Sequence, residues 1–506
     1  MSKDHNNHSG KRGLTRLLAL ILCILLAGTA VVGVLITVAY AEESPGNATQ
    51  LTLTVDEGAQ GLRALQVTRY VNQTGAHLSH VIFSLGANNM RRLSTAPFED
   101  EELERAYPQG FNVGGVEMEK VSVDGKQANW GVQGEGESFL RVDCDLEQGE
   151  SALFQFEYQV LLPRAQGFLG TGDIGWRLSY FTPAPCVFQD GDFSCVEMKA
   201  VGECAYFVPQ DYSVTLDAPD TYLIASGGQQ HSQDEGKGRR TTAVTLDGAV
   251  SFALALSRRY TLYQSEQVQG VNLACYANTG WGAGKALEAA QHILNVYIAK
   301  LGDCPVENIV IAQVDGVRPV ESHDGLLLVD QSLFTLGREE ELERALTLGL
   351  ARQWFGLSVQ NHPEQAPWLS EAVCAYVALL YYQEQYGEER FLEELNREVL
   401  DALNITLPGR LSPDALRSQF SSRSAYEIIV RRRGAAALHE MSKAIGRQEI
   451  WDAFKSYYQE NRGQTADQGD FETALLHATG QDYSQALNHY MQTIFEYVSQ
   501  RLEWYE

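Results

Sequence analysis

Positive charge is scarce in this sequence of 506 residues, which has 39 lysine and arginine residues against 65 aspartate and glutamate residues. The formal net charge of −26 argues against a nucleic acid or an anionic lipid surface as partner, because both repel an acidic protein. The sequence has no run of five or more like charges, no internal repeat and no low-complexity tract. The excess of acidic side chains is therefore interpreted as charge on a solvated surface. A chain of this length is expected to form two or three domains.

One long uncharged run stands near the amino terminus. Residues 1–16 are polar and carry four basic side chains against one acidic side chain, and residues 17–41 then give 25 positions without a charge. Such a run is long enough to cross a bilayer as a helix, and the basic flank predicts a cytoplasmic amino terminus with the main domains extracytoplasmic. Two interpretations stay open: an uncleaved single-pass anchor in the cell membrane, which the length favours, and a signal cleaved after Ala41.

Cysteine pairs with the spacing of a zinc site are absent, because no C-x-x-C occurs. Export permits disulfides, and Cys186, Cys195 and Cys204 lie close enough in the chain to suggest one loop staple. The predicted exported part has seven cysteines, so at least one is expected to be free. Cys374 falls on an apolar helical pattern and is predicted to be a packed thiol.

Three patterns follow one another after the uncharged run. Residues 50–264 contain short segments rich in valine, threonine, tyrosine and phenylalanine between turn residues, which predicts an antiparallel β-sandwich domain. Residues 270–408 alternate helical and strand patterns, and residues 409–506 are predominantly helical, with a first helix predicted over 412–420. The predicted fold class is multidomain α+β with an amino-terminal membrane helix.

The most specific signal lies in two helical patterns joined by a loop. The first ends in Gln353–Gly356 (QWFG) and the second is Trp368–Tyr376 (WLSEAVCAY). In both, the chain resembles the gluzincin zinc aminopeptidases of the membrane alanine aminopeptidase type, which read H-E-x-x-H-Q-W-F-G and W-L-N-E-G-F-A-x-Y. Eighteen residues separate Arg352 from Glu371, the same gap that separates the second histidine from the zinc-binding glutamate in that family. The resemblance implies a saddle of sheets before a thermolysin-like catalytic domain, with further helices behind it.

The chemistry of that motif is missing from the matching positions. The two histidine positions hold Leu348 and Arg352, and the position of the glutamate that activates water holds Gly349. Leucine has no donor atom, arginine stays protonated and repels a cation, and glycine takes no proton. With Glu371 as the one remaining ligand position, no catalytic residue and no zinc or other cofactor are expected.

Two flanking segments also depart from the family. Residues 318–322 (RPVES) fall where the family's G-A-M-E-N strand holds the substrate's amino terminus, which makes Glu321 and Glu371 the candidates for binding a peptide amine. The family's oxyanion tyrosine corresponds to Arg431 in R-R-R-G-A. Tyr426 stands five residues earlier and is predicted to lie off the matching helical face.

A buried carboxylate at Glu371 needs a cation nearby, because an uncompensated buried charge is strongly destabilising. We therefore expect Arg352 to form an ion pair with Glu371. Three alternatives stay open: Glu321 is the partner of Arg352, Arg431 is the partner of Glu371, or Arg352 points to solvent while Glu371 caps its helix.

The resulting function hypothesis is a membrane-anchored, extracytoplasmic, aminopeptidase-like protein that is catalytically inactive and binds peptide amino termini or a protein partner. A second hypothesis is an active metallo-aminopeptidase with displaced ligands, for which His323, His362 and His439 are the nearest histidines. No two of these three have the i, i+4 spacing of a zinc-binding helix. A third hypothesis is a purely structural interaction domain of the cell envelope.

Overall fold

The computed structural model describes residues 46–401, 405, 407 and 410–499. The run over 17–41 lies outside these residues, so the membrane anchor stays a prediction. Among the described residues, no helix is both long enough and apolar enough to span a bilayer.

An eight-stranded sheet dominates the first half of the described chain. Its strands, from one edge to the other, are β16 (Gln229–Gly236), β17 (Arg239–Ala249), β14 (Gln210–Pro219), β1 (Ala48–Asp56), β2 (Gly61–Val71), β8 (Ser151–Leu161), β4 (Gly115–Val123) and β5 (Lys126–Gln127). Neighbours are antiparallel, except that β1 pairs with β14 in parallel. Every second residue of β8 is buried, as its alternating sequence predicts.

Smaller sheets complete this β-rich half. One contains β15 (Leu223–Ser226), β18 (Leu254–Ser257), β10 (Trp176–Leu178) and β9 (Leu169–Thr171), and another contains β11 (Ala184–Pro185), β3 (Leu78–Ser84), β7 (Phe139–Leu146) and β6 (Trp130–Gln133). A separate hairpin pairs β12 (Val187–Gln189) with β13 (Asp192–Ser194), and α1 (Leu103–Ala106) is a single helical turn. The core lies between the sheets, where the ring centroid of Phe83 is 5.1 Å from that of Phe154 and 4.9 Å from that of Phe156.

A five-stranded mixed sheet begins the second half. Its order is β19 (Thr261–Gln264), β20 (Asn272–Ala277), β21 (Asn308–Val314), β23 (Leu326–Asp330) and β22 (Val320–His323). The three inner strands are parallel and the two outer strands antiparallel to their neighbours. Strands β21 and β23 are almost wholly buried, which accounts for their continuous apolar sequences.

Helices make up most of the rest. They are α2 (Gly280–Leu301), α3 (Glu339–Trp354), α4 (Trp368–Tyr386), α5 (Glu388–Leu395), α6 (Arg423–Tyr426), α7 (Gly434–Ile445), α8 (Arg447–Asn461), α9 (Gln468–Thr479) and α10 (Ser484–Ser499). Two segments are π-helical, Asn396–Leu400 and Glu427–Arg433, and short 3₁₀ helices occur at Gly86–Arg91, Asp100–Glu102, Gln331–Phe334 and Arg417–Gln419. The small parallel pair of β24 (Val359–Gln360) and β25 (Gln464–Thr465) ties the loop after α3 to the segment before α9.

The helix predicted over 412–420 is wrong, because that segment contains one short 3₁₀ turn, Arg417–Gln419. The buried guanidinium of Arg417 donates to the carbonyl oxygen of Glu203 at 2.8 Å and to that of Glu197 at 3.1 Å. These tertiary contacts fix the backbone and override local helix propensity.

The two halves meet backbone to backbone at two glycines. A Cβ on Gly227 would lie 1.9 Å from the carbonyl oxygen of Asp324, and one on Gly325 would lie 3.2 Å from Gly227 Cα. The buried carboxylate of Asp324 accepts hydrogen bonds from the backbone nitrogens of Val250 and Ser251 at 3.2 and 3.3 Å. This contact sets the five-stranded sheet against the β-rich half.

Candidate functional site: a charged cleft

A cleft of about 620 Å³ lies between the β-rich half and the helices. Residues of both halves line it, and charged side chains of both signs are interspersed along its walls. They include Glu99, Glu102, Glu203, Glu321, Glu341, Glu371, Glu394, Glu398 and Glu427, together with Arg318, Arg338, Arg344, Arg352, Arg397, Arg423, Arg431 and Arg432. Such a surface is suited to a polar ligand that carries charge of its own.

The QWFG motif fixes helix α3 to the five-stranded sheet on one side of this cleft. The side chain of Gln353 donates to the carbonyl oxygen of His323 and accepts from the backbone nitrogen of Gly325, both at 3.0 Å. Trp354 is fully buried, with its ring centroid 5.8 Å from that of Tyr297 on α2. The motif therefore fixes α3 to the turn between β22 and β23, next to the strand that carries Glu321.

Arg352 and Glu371 are brought together by the last turn of α3 and the first turn of α4. Arg352 Nη2 donates to Glu371 Oε1 at 2.8 Å, and Arg352 Nη1 lies 3.4 Å from Glu203 Oε1. The side chains of Arg352 and Glu371 are 13% and 4% exposed. Burial lowers the pKa of Arg352, but the carboxylates of Glu371 and Glu203 outweigh burial and raise this pKa well above its ordinary value. The guanidinium is therefore a fixed cation.

Glu203 is a site residue that the sequence analysis missed. It lies in the irregular segment between β13 and β14, where no helix or strand pattern and no motif marks it. Burial raises the pKa of Glu203, yet Arg352 and Arg318 together bring it below its ordinary value. The carboxylate is thus ionised, and with 37% of its side chain exposed it faces the cleft.

Glu321 also lines the cleft, but it does not pair with Arg352. Its Oε1 lies 2.9 Å from His323 Nε2, and 23% of its side chain is exposed. His323 is buried, with the hydroxyl oxygens of Ser179 and Ser251 at 2.8 and 3.5 Å from its ring nitrogens. His323 therefore orients Glu321 toward the cleft.

The other two histidines are engaged elsewhere. His362 Nε2 lies 2.9 Å from Ser194 Oγ, and His439 Nδ1 lies 3.3 Å from the hydroxyl of Tyr376. Burial lowers the pKa of His439 to about 3, so its ring is neutral. Within the described ranges, no three histidine, cysteine, aspartate or glutamate side chains are grouped so that they could hold a metal ion.

Position 349 is closed by packing. A Cβ on Gly349 would lie 2.8 Å from Leu327 Cδ2 and 3.0 Å from Val320 Cγ2, and the Gly349 carbonyl accepts from Ser322 Oγ at 3.1 Å. Leu348, one residue earlier, lines the cleft with an apolar side chain. A carboxylate at position 349 would therefore require the contact between α3 and β22–β23 to open.

The prediction that Tyr426 lies off the cleft-facing side is wrong, because Tyr426 and Arg431 both line the cleft. The helix between them is π-helical over Glu427–Arg433, and a π-helix bonds residues five apart, which places such residues near one face. Tyr426 is buried, and burial followed by the charge of Glu371 raises its pKa well above the ordinary value. The carboxylate of Glu427 lies 2.9 Å from Arg431.

Residues 320–493 match the family described as the peptidase family M1 domain. This part of the chain is similar to the peptidase M1 domain. The match begins at β22 and ends within α10, and it confirms the family that the two helical motifs indicate. No curated protein matches the sequence.

Solved M1 peptidases share the fold of the chain. The M1 zinc metallopeptidase of Deinococcus radiodurans has a TM-score of 0.62 at 18% identity, over 88% of this chain and 94% of that one. A mutant of it bound to a Tyr-Ser-Ala substrate gives 0.62 at 19% identity over the same shares. A two-domain M1 zinc metallopeptidase mutant bound to L-tryptophan gives 0.63 at 19% identity, over 89% of this chain and 95% of that one. These similarities show an α+β fold with a β-sheet domain and a helical carboxy-terminal part, as predicted.

The expectation that this protein takes no cofactor is wrong, because its solved relatives are zinc metallopeptidases. The side chains around Glu371 do not fit that metal. A guanidinium lies 2.8 Å from Glu371 Oε1, and neighbouring positions on α3 carry Leu348 and Gly349. A zinc site needs three or four neutral or anionic donors at about 2.0–2.3 Å. The described residues here do not offer that set of donors.

Proposed function

We propose that this M1 peptidase-like protein binds peptides by their free amino terminus in the charged cleft and holds them without hydrolysis. The observation that carries the proposal is that Glu203, Glu321 and Glu371 all line the same cleft. An ammonium group has three N–H donors and forms its strongest hydrogen bonds with ionised carboxylates. Glu203 and Glu321 are 37% and 23% exposed and can receive it, whereas Arg352 engages Glu371.

The relatives support a ligand with a free α-amino group. One structure of the Deinococcus enzyme holds a Tyr-Ser-Ala substrate, and another M1 peptidase holds L-tryptophan. Tripeptides are therefore the first ligands to test. The amino terminus of a protein partner has the same chemistry, so a scaffolding role uses the same carboxylates.

The proposed absence of hydrolysis follows from the requirements of proton transfer. Peptide-bond cleavage by water requires a general base within hydrogen-bond reach of the attacking water. The position that carries this base in the family is Gly349, which takes no proton and is packed against β22–β23. The guanidinium of Arg352 stays protonated and cannot replace the base.

Titration calorimetry with Tyr-Ser-Ala and its N-acetylated form tests the binding. We expect the free peptide to bind and the acetylated peptide to fail, because acetylation removes the ammonium charge. Glu321→Gln is expected to weaken binding about 10- to 100-fold, since a hydrogen bond to a charged group contributes about 1.5–3 kcal/mol. Glu117→Gln, on the exposed face of β4, is the matched control and should leave affinity unchanged. Equal binding of both peptides would refute the assignment.

Hydrolysis is tested with aminoacyl anilides and with Tyr-Ser-Ala, both with and without added zinc. We expect no release of free amino acid above background. The second candidate function, a zinc-dependent aminopeptidase with displaced ligands, is favoured by the solved relatives, which are zinc metallopeptidases. Turnover that appears on adding zinc and is lost in Glu371→Gln would establish that candidate and refute the non-hydrolytic one.

The cellular location is proposed from the sequence. The 25 uncharged residues over 17–41 support a single-pass anchor with the cleft on the extracytoplasmic side. The full chain is expected in the membrane fraction after alkaline washing, and a variant without residues 1–41 is expected in the soluble fraction. Recovery of the full chain as a soluble protein would contradict the anchor.

A further inference from the structure

Two cysteines flank the β12–β13 hairpin at matching positions. The pairing register joins Val187 to Ser194 and Gln189 to Asp192, and its extension by one residue sets Cys186 opposite Cys195. Directly opposite residues of an antiparallel pair have Cα atoms about 4.5–5.5 Å apart. A disulfide requires Cα atoms about 4.4–6.8 Å apart, so the hairpin register meets this requirement without backbone movement.

We propose that Cys186 and Cys195 are a disulfide-forming site that clamps the base of the loop presenting Glu203 to the cleft. All seven cysteines of the described part are free thiols in the structure, so the loop staple predicted from spacing is not formed there. The hairpin register now selects one pair among the three cysteines of that prediction.

The clamp acts where the loop begins and ends. Cys186 is also opposite Phe207 in an isolated antiparallel bridge. Residues 196–206 therefore leave the hairpin at Cys195 and return beside Cys186, with Glu203 between these two points. Arg417 holds the same loop through the carbonyl oxygens of Glu197 and Glu203. A Cys186–Cys195 bond would add a covalent link at the base of the loop, where the hairpin ends.

The two thiols differ in the way that an exchange reaction requires. Cys195 is half-buried, and a hydrogen bond from the Cys186 thiol lowers the pKa of Cys195. The same hydrogen bond, with burial, raises the pKa of Cys186 well above its ordinary value. The thiolate, not the thiol, attacks a disulfide, so Cys195 is the attacking group.

The reaction is a double exchange with a low-molecular-weight disulfide. The Cys195 thiolate attacks one sulfur of the small disulfide, which breaks the S–S bond and expels one thiolate. Cys186 then loses its proton and attacks Cys195 Sγ, which expels the second thiolate. Two protein thiols are oxidised to one disulfide, and one small disulfide is reduced to two thiols.

Cys204 is the competing partner, and its surroundings argue against it. It is buried, and burial raises its pKa to about 12, which leaves little thiolate to react. Cys204 also lies on the loop itself rather than at its base.

Peptide mapping of the full chain tests the bond. The protein is equilibrated with glutathione disulfide, alkylated without reduction and digested with trypsin. Cys186 and Cys195 fall on one tryptic peptide, 178–199, while Cys204 falls on the next. We expect peptide 178–199 to be unalkylated and about 2 Da lighter than its dithiol form. Alkylation of both cysteines, or a cross-link from this peptide to the one containing Cys204, would overturn the proposal.

Amide hydrogen exchange tests the clamp. Exchange over 196–206 is expected to slow several-fold in the oxidised protein relative to the reduced protein, because closing the base removes local opening motions. Cys195→Ser should abolish this difference, and Cys304→Ser, which removes another half-buried thiol, should preserve it. Identical exchange in both redox states would show that the bond does not restrain the loop. Neither measurement involves peptide binding, so the outcome is independent of the proposed function.

Discussion

Replacing Arg352 by methionine tests whether a guanidinium neutralises the carboxylates of the cleft. Methionine retains the apolar volume but leaves Glu371, whose side chain is 4% exposed, without its partner at 2.8 Å. Removing one member of a buried ion pair destabilises a protein by about 3–5 kcal/mol. Glu203 adds little to this loss, because its side chain is 37% exposed and can be solvated by water. Nearly all of the effect therefore comes from Glu371.

Thermal unfolding at neutral pH is the assay. A loss of about 3–5 kcal/mol corresponds to a fall in Tm of roughly 6–10 °C for a large domain. The double variant Arg352→Met/Glu371→Leu should recover most of this loss, since replacing a whole buried pair by apolar groups is nearly neutral. Arg338→Met is the matched control, because the ion pair of Arg338 with Glu341 is 46% and 43% exposed and should be worth less than about 1 kcal/mol. An unchanged Tm for Arg352→Met would refute the reasoning.

Three further predictions concern stability, each read as Tm. Burial raises the pKa of Asp324 to about 6, so between about pH 4 and 6 this carboxyl group is protonated in the folded chain and ionised in the unfolded chain. Stability should therefore fall by roughly 3 kcal/mol as pH rises from about 4 to 6, and Asp324→Asn should flatten that slope. Gly349→Ala should lower Tm, because a Cβ 2.8 Å from Leu327 overpacks the contact by about 1–3 kcal/mol, more than the roughly 1 kcal/mol of helix propensity it gains. A rise in Tm would show that strand β23 shifts to accommodate the added methyl group. Glu394→Gln should destabilise by about 1–3 kcal/mol, since Glu394 is 2% exposed and lies 3.1 Å from partly exposed Arg344; an unchanged Tm would contradict this.

Local patterns were sufficient for the elements around the cleft. The apolar spacing of α3 and α4 and the QWFG motif at Gln353–Gly356 depend on neighbours along one helix, so sequence alone located them. The same helices place Arg352 beside Glu371, because the last turn of α3 lies next to the first turn of α4. The expectation of no cofactor is wrong, because side-chain chemistry at single positions does not reveal the metal that the solved relatives use.

Tertiary contacts account for what the sequence did not reveal. Glu203 lies in a loop whose position depends on Arg417, more than two hundred residues later in the chain. Tyr426 reaches the cleft through a π-helical segment, in which hydrogen bonds join residues five apart. A helical face worked out from 3.6 residues per turn therefore does not apply there. Hydrogen bonds of this kind leave no periodic pattern in the sequence.

The glycine contact between the two halves makes the width of the cleft a property of the main chain. Because a Cβ at position 227 would lie 1.9 Å from the carbonyl oxygen of Asp324, any larger residue there would push the two backbones apart. The five-stranded sheet would be displaced from the β-rich half, and Glu321 would move away from Glu203. The distance between the two carboxylates is thus expected to depend on a main-chain contact whose residues do not line the cleft.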